Sequence, residues 1–483
     1  MLKHAATTAV LVVLAVLAAP AQQGPDAAGV LKSIDAKRDQ YAAIAKQIWD
    51  FPELGFQEER SSALLQKTLA DAGFSVAKGV AGMPTAFTAS YGTGKPVIAI
   101  VGEFDALPGL SQAAGDPARR PVKAGASGHA CGHNLLGTAS AAAAIAVKEW
   151  MIRTEQTGTV RYYGTPAEEG GGGKVYMVRE GLFKDVDAVV TWHPGDQNSA
   201  NPASSLATIA AYFRFYGVAS HAAASPDKGR SALDGLESMD YMVNMMREHV
   251  PQETRIHYII RKGGVASNIV PDYAEAEYQA RHPDMRVLQD IWDRIVKASE
   301  GAAMGTSTRV EHEILMSYWN VLPNETLTAV AHRNLTRVGG IEYTPDEQAF
   351  ADKLRATLID ARTPMGVQKD VAPMRAGLVG SASTDVGDIS WNVPTAQLTA
   401  ATYVPGVPGH SWQATACTGM SIGFKGMIVA AKTMALTVSD LFKDPATIAR
   451  AKEEFIKRRG GADFKYSSIV GNRPPPLDYR KGT

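Results

Sequence analysis

Three short apolar runs in the first half of this sequence each stop at acidic or imidazole side chains, and that recurrence constrains the fold most. Val97–Val101 leads into Gly102-Glu103-Phe104-Asp105, Thr159–Gly164 into Thr165-Pro166-Ala167-Glu168-Glu169-Gly170, and Ala188–Thr191 into Trp192-His193-Pro194. Continuous apolar runs of this length read as buried strands. Helical patterns lie between them, such as the alanine-rich Leu135–Arg153. Alternating strands and helices build an open α/β sheet, which places its ligands beyond the carboxyl ends of the strands. Scattered surface polar groups would not fall at strand ends so regularly.

A second cluster, Gly128-His129-Ala130-Cys131-Gly132-His133-Asn134, precedes that helix. Cys131 and His133 are two apart, so they share a face in a looped backbone and diverge on a helix. The stretch therefore reads as a ligand-bearing loop, with Asn134 as the N-cap of the following helix. A thiolate beside an imidazole suits a transition metal such as zinc. Glu168 and Glu169 are adjacent in a non-helical segment and point in different directions. One can bind metal while the other takes a proton from a metal-activated water. The glycines after them, Gly170 to Gly173, are no phosphate loop, because Lys174 is followed by Val175. His193 and His410, the latter in the turn Pro405–His410, complete a candidate ligand set. Two other readings stay open. Cys131 and Cys417, the two cysteines present, could form a disulfide. Cys131 could also serve a thiol amidase with His129 or His133, which leaves the remaining candidates unexplained. No Gly-x-Ser-x-Gly elbow points to a serine hydrolase.

At 483 residues the chain exceeds the size of a single core. Equal counts of 49 basic and 49 acidic residues give zero formal charge, with no nucleic-acid or membrane-surface footprint. Lys3 and His4, the apolar run Ala5–Ala19 and Ala19-Pro20-Ala21 read as an export signal, residues 1–21, cleaved after Ala21, with a bacterial periplasm as destination. No later segment looks long and apolar enough to span a membrane. Helices are expected over Ala27–Asp50, Gln57–Ala72 and Thr418–Leu441. Between 205 and 320 the order becomes β-α-β-β-α-β, a ferredoxin-like split unit inserted into a catalytic domain made of 27–204 and 321–460. A polar, Pro-rich tail, 461–483, follows.

The ordered motifs resemble the metallo-aminoacylase and carboxypeptidase superfamily, in the branch of hippurate and auxin-conjugate amidohydrolases. The resemblance spans about Asp35 to Leu441 and rests on Phe51–Phe56, Glu103–Leu107, His129–Asn134, Thr165–Gly170, Trp192–Pro194, Gly217–Ala223, Ser267–Pro271, Ser383–Asp388 and Pro408–Ser411. It implies a zinc-peptidase-like domain carrying a lid. It also implies metal-dependent hydrolysis of an amide in an N-acyl or aminobenzoyl amino acid or small peptide. A catalytically inactive metal-binding protein of the same fold is the alternative. Position by position, it implies Cys131, His133, Glu169, His193 and His410 as ligands of one or two divalent ions, zinc or manganese. Glu168 becomes the general base, and Asp105 orients a ligand histidine. His221 and Asn268 bind substrate or stabilise an oxyanion, His221 reaching a neighbouring subunit's site in a homodimer, and Arg281 pairs with a substrate carboxylate. The branch usually carries Asp where this chain has Asn134. More distant relatives place a metal-binding histidine where Glu103 stands.

Overall fold

The computed structural model describes residues 25–481, so the expected export signal at 1–21 lies outside the described residues. Ten strands form two sheets. β1 (Ser75–Lys78), β2 (Phe87–Thr93), β3 (Val97–Glu103), β4 (Gly158–Thr165) and β5 (Ala188–Gly195) come first. β6 (Ala207–Tyr216), β7 (Arg255–Lys262), β8 (Tyr273–His282) and β9 (Arg309–Tyr318) form the second sheet, and β10 (Thr395–Ala401) returns to the first.

The first sheet runs β1-β2-β4-β3-β5-β10. Its β4, β3, β5 and β10 are mutually parallel, so their carboxyl ends share one edge, while β1 and β2 form an antiparallel margin. β3 is buried at every position, and its alternate side chains face two cores. Ile98 and Ile100 join the core of the helices His133–Thr154 and Ser421–Lys443. Val97, Ala99 and Val101 join Val175 to Val178 of the helix Gly173–Arg179.

The second sheet runs β7-β8-β6-β9 with every neighbour antiparallel, which is the ferredoxin-like order read from the sequence. Helices Ala232–Met246 and Met285–Thr306 cover one face, burying Leu236, Met239, Leu288 and Ile291 against Phe213, Phe215 and Tyr278. Trp319, where the chain leaves β9, packs 4.8 Å from Trp391.

Several local expectations are corrected. The helix expected over Ala27–Asp50 is two, Pro25–Ala36 and Arg38–Asp50, parted at Lys37, whose φ of −115° is not helical. Asn134 is no N-cap. Its helix starts at His133 after Gly132 in the left-handed region (φ 77°), and the Asn134 amide donates to the carbonyls of Ala45 (3.2 Å) and Thr418 (3.0 Å). Thr418 ends a separate short helix, Trp412–Thr418, because Gly419 packs so close to Trp49 that a Cβ would sit 2.6 Å from its ring. Two helices, His133–Thr154 and Ser421–Lys443, are by length and hydropathy capable of crossing a membrane, against expectation. Here 83% and 78% of those windows are buried inside the fold, so they read as core helices. Beyond the further helix Pro445–Arg458, the tail carries no strand but lies against the body.

Candidate metal centre

Each ligand-type side chain is delivered by the edge at which the parallel strands end. β3 ends at Glu103, and Asp105 follows it; both are buried. β4 runs into a turn that needs glycine, since a Cβ on Gly173 would lie 2.1 Å from the Pro166 carbonyl. Ala167 takes a left-handed φ of 57° there, and its N–H donates to Glu58 Oε1 at 2.8 Å, which fixes where Glu168 begins. His193 closes β5. His410 is also left-handed (φ 58°), and its N–H donates to the Ala130 carbonyl at 3.0 Å, tying the turn after β10 to the Cys131 loop.

The five expected ligands meet. Cys131, His133 and His193 form one group and Cys131, Glu169 and His410 another, each with ligand atoms within 4.8 Å of one another, so the thiol is common to both. Cys131 Sγ lies 3.3 Å from His193 Nε2, and His410 Nε2 lies 3.3 Å from Glu169 Oε1. The imidazoles are turned by their outer nitrogens. His133 Nδ1 is 2.8 Å from Asp105 Oδ1, and His193 Nδ1 is 2.8 Å from the Pro194 carbonyl, so in both rings Nε2 faces inward. Glu103, His133 and Glu168 make a third group on the inner side.

These atoms fit divalent ions. His133 Nε2, Glu103 Oε2 and Glu169 Oε1 are buried with no hydrogen-bond partner, and such groups are rarely left unpaired. Negative charge is also in excess. Burial, followed by the charges of Glu103, Glu169 and Asp385, pushes the Glu168 carboxyl well above the ordinary range. Burial and then Glu169 raise the Cys131 thiol. The buried Lys174 ammonium is already engaged, 2.6 Å from Asp385 and 2.8 Å from Glu103. A cation at the convergence point relieves every one of these costs.

His129 stays outside the centre. Its Nε2 is 3.0 Å from the Ile48 carbonyl, and burial followed by His133 lowers its pKa to about 3, leaving a neutral structural ring. Cys131 and Cys417 are both free, so the disulfide reading is overturned. Asp105 takes its expected place beside His133.

The substrate-side residues divide. The metal groups open into a cleft of about 910 Å³ lined by Cys131, His193, Arg362 and His410. Arg281 borders a neighbouring cavity of about 510 Å³ with Arg255, His257 and Glu253, and the loop residue Ser381 lines both spaces. Arg281 reaches the Ser383 hydroxyl at 3.4 Å, and among the described residues no carboxylate pairs with Arg281 or Arg255. His221 and Asn268 are not brought to this cleft. They sit together on the exposed lid margin, where His221 bridges Ile269 and the Ala222 N–H donates to the Asn268 carbonyl at 3.0 Å.

Residues missed from the sequence support the centre from outside. They include Glu58, Lys174, the Tyr403 hydroxyl that donates to the Cys131 carbonyl (2.7 Å) and the Tyr318 hydroxyl at the Glu168 carbonyl (3.4 Å). Lys174 offered one signal, a lone lysine after four glycines. Glu58 offered none within its polar run Gln57-Glu58-Glu59.

Two metal-holding groups around a shared thiol, with a spare carboxyl at their side, are what hydrolysis of an unreactive bond by an activated water requires, and the class is therefore a metallohydrolase. The chain belongs to peptidase family M20/M25/M40, which its residues 99–377 match. It is 44% identical over 447 residues to one of the two kinds of subunit of the p-aminobenzoyl-glutamate hydrolase of Escherichia coli (strain K12), covering 87% of this chain and 93% of that protein. It is 29% identical over 458 residues to the Xaa-Arg dipeptidase of Mus musculus, covering 90% and 95%. Among solved structures, a dinuclear metal binding peptidase of the M20 family from Bacillus subtilis shares the fold, with a TM-score of 0.58 at 17% identity over 85% of this chain and 99% of that one. The chain is accordingly a metal-dependent amide-bond hydrolase of this family.

Proposed function

We propose that this enzyme hydrolyses the amide bond between an acyl group, aromatic in the aminobenzoyl case, and an acidic amino acid. The observation that carries the hydrolytic site is the sharing of Cys131 between two ligand groups with Glu168 beside them. Cys131, His133 and His193 would hold one divalent ion, and Cys131, Glu169 and His410 a second, the thiolate favouring zinc over manganese. Bound there, such ions polarise the scissile carbonyl and acidify water. Glu168, with its raised proton affinity, accepts the water proton and returns it to the leaving nitrogen. Asp105 keeps His133 in the tautomer that directs Nε2 inward.

Charge in the adjoining cavity supports the choice of substrate. Arg255, His257 and Arg281 face it against a single acid, Glu253. Arg255 and Arg281 stand directly opposite across the β7–β8 ladder, where like charges are unfavourable unless an anion lies between them. A substrate carboxylate answers that need, as in a p-aminobenzoyl-glutamate, and a cationic Xaa-Arg dipeptide does not.

The active unit is proposed as a homodimer joined along the lid. β7 is an edge strand exposing Ile259 and Ile260, and the adjacent helix exposes Tyr241 and Met245. On that margin His221 and Asn268 are placed to serve a neighbour's cleft. Export to the periplasm through residues 1–21 completes the proposal, and N-terminal sequencing of the mature protein starting at Gln22 tests it.

The deciding experiment assays zinc- and manganese-loaded protein on p-aminobenzoyl-glutamate, hippurate and Xaa-Arg dipeptides, with metal content and mass in solution measured alongside. Preference for the glutamate conjugate is expected. Metal binding without turnover of any of them would instead establish the inactive-protein alternative.

A further inference from the structure

The segment after the last helix passes from the lid to the metal centre. Phe464 and Tyr466 pack on Trp319 at 5.9 and 5.6 Å, where β9 leaves the lid. Arg473 donates to the Ile314 carbonyl and lies 3.3 Å from Glu313, both on β9. Arg179 of the catalytic domain donates to the Gly471 carbonyl at 3.1 Å and to that of Arg473. The Gln57 amide then donates to the Leu477 carbonyl at 2.8 Å, and the Tyr479 ring meets Phe56 edge-on at 5.8 Å. Finally, the Arg480 guanidinium donates to the main-chain carbonyl of Glu169.

That last contact falls on the turn that carries both catalytic carboxyls. The Glu169 N–H donates to Asp105 Oδ2 at 2.9 Å, so this residue is gripped through both of its main-chain polar groups. Its Oε1, buried and without a hydrogen-bond partner, is thereby directed toward His410 Nε2. The remaining hydrogen bonds of the turn are internal, from Gly170 to the Glu168 carbonyl and from Gly171 and Gly172 to that of Ala167. The turn is rich in glycine and holds its shape poorly unless something outside it does so.

We propose that residues 464–480 form a strap and that Arg480, seated by Tyr479, is a positioning residue that places Glu169 in its ligand group. Tension on the strap from β9 links the setting of the lid to the same turn. The role assigned to Glu169 rests on the function proposed above; the strap adds a control on it from a part of the chain outside every motif read from the sequence.

The test compares full-length, metal-loaded Arg480→Met and Arg480→Lys with the unaltered protein. Methionine keeps the apolar stem and loses the donor, whereas lysine restores a donor. Metal retained after dialysis is counted, the visible absorption of the cobalt-substituted protein is recorded, and kcat is separated from KM, with melting temperature as the check on folding. Removing an outer partner of a metal ligand costs about 10- to 100-fold in affinity. Arg480→Met is expected to lose one of the two ions preferentially, to change the cobalt spectrum and to lower kcat more than KM, and Arg480→Lys to recover part of each. Unaltered stoichiometry and spectrum in a folded Arg480→Met protein would overturn the strap. If unaltered protein binds no metal or turns nothing over, the failure lies in the proposed function.

Discussion

Asp105 binds His133 with one carboxylate oxygen and the Glu169 main chain with the other, at 2.8 and 2.9 Å. A single buried side chain thus sets the ring of one ligand and the approach of a second. Replacing it with asparagine leaves the shape but presents an amide where one acceptor is needed. Asp105→Asn is expected to weaken metal retention by about 10- to 100-fold, measured by competition with a chelator of known affinity.

Glu168 makes no contribution to either ligand group that contains Cys131. Glu168→Gln should therefore keep its ions while losing about 10²- to 10⁴-fold in kcat, the usual worth of a positioned general base. Metal analysis on the same sample that gives the rate separates this outcome from simple loss of metal. Near-normal turnover would remove Glu168 from the role of base.

Arg281→Ala is expected to raise KM for an acyl-glutamate by about 10- to 100-fold, the equivalent of one hydrogen bond to a charged group. Arg255→Ala should narrow the preference for acyl-glutamate over acyl-glutamine, with less effect on kcat. Equal loss on both substrates would show that the cavity does not read a second carboxylate.

Asp388 couples stability to pH. Burial pushes its carboxyl up to about 8, although it accepts hydrogen bonds from Tyr466 and the Trp319 N–H. The native state therefore holds a proton that the unfolded chain gives up near the ordinary carboxylate range, about pH 4. Asp388 contributes fully at lower pH, and its contribution declines as pH rises toward about 8. Asp388→Asn, neutral throughout, should match the parent in acid and melt a few degrees higher at pH 8, as read by differential scanning calorimetry.

Much of this arrangement was legible in the residues alone. β3, β4 and β5 announced themselves by continuous apolar runs, and their terminal Glu103, Glu168-Glu169 and His193 converge because parallel strands end on one side. The lid order was equally readable, since its strands and helices alternate at ordinary lengths. What escaped has a common cause, dependence on partners distant in the chain. β1 is a largely exposed edge without an apolar pattern. Asn134 has the chemistry of a cap but spends its amide on Ala45 and Thr418. Glu58, Tyr403 and Arg480 matter through main-chain carbonyls and N–H groups, which leave no trace in residue type.

The place of β10 has a bearing on how the protein is made. His193 leaves the ribosome about two hundred residues ahead of His410, with the entire lid synthesised between them. Throughout that interval β5 is an open sheet margin, because its outer neighbour β10 does not yet exist. Cys131 meanwhile stands with half of its company. The newborn chain can therefore neither close its core nor select its ions until nearly the whole sequence has been delivered, and metallation becomes an act of the finished molecule.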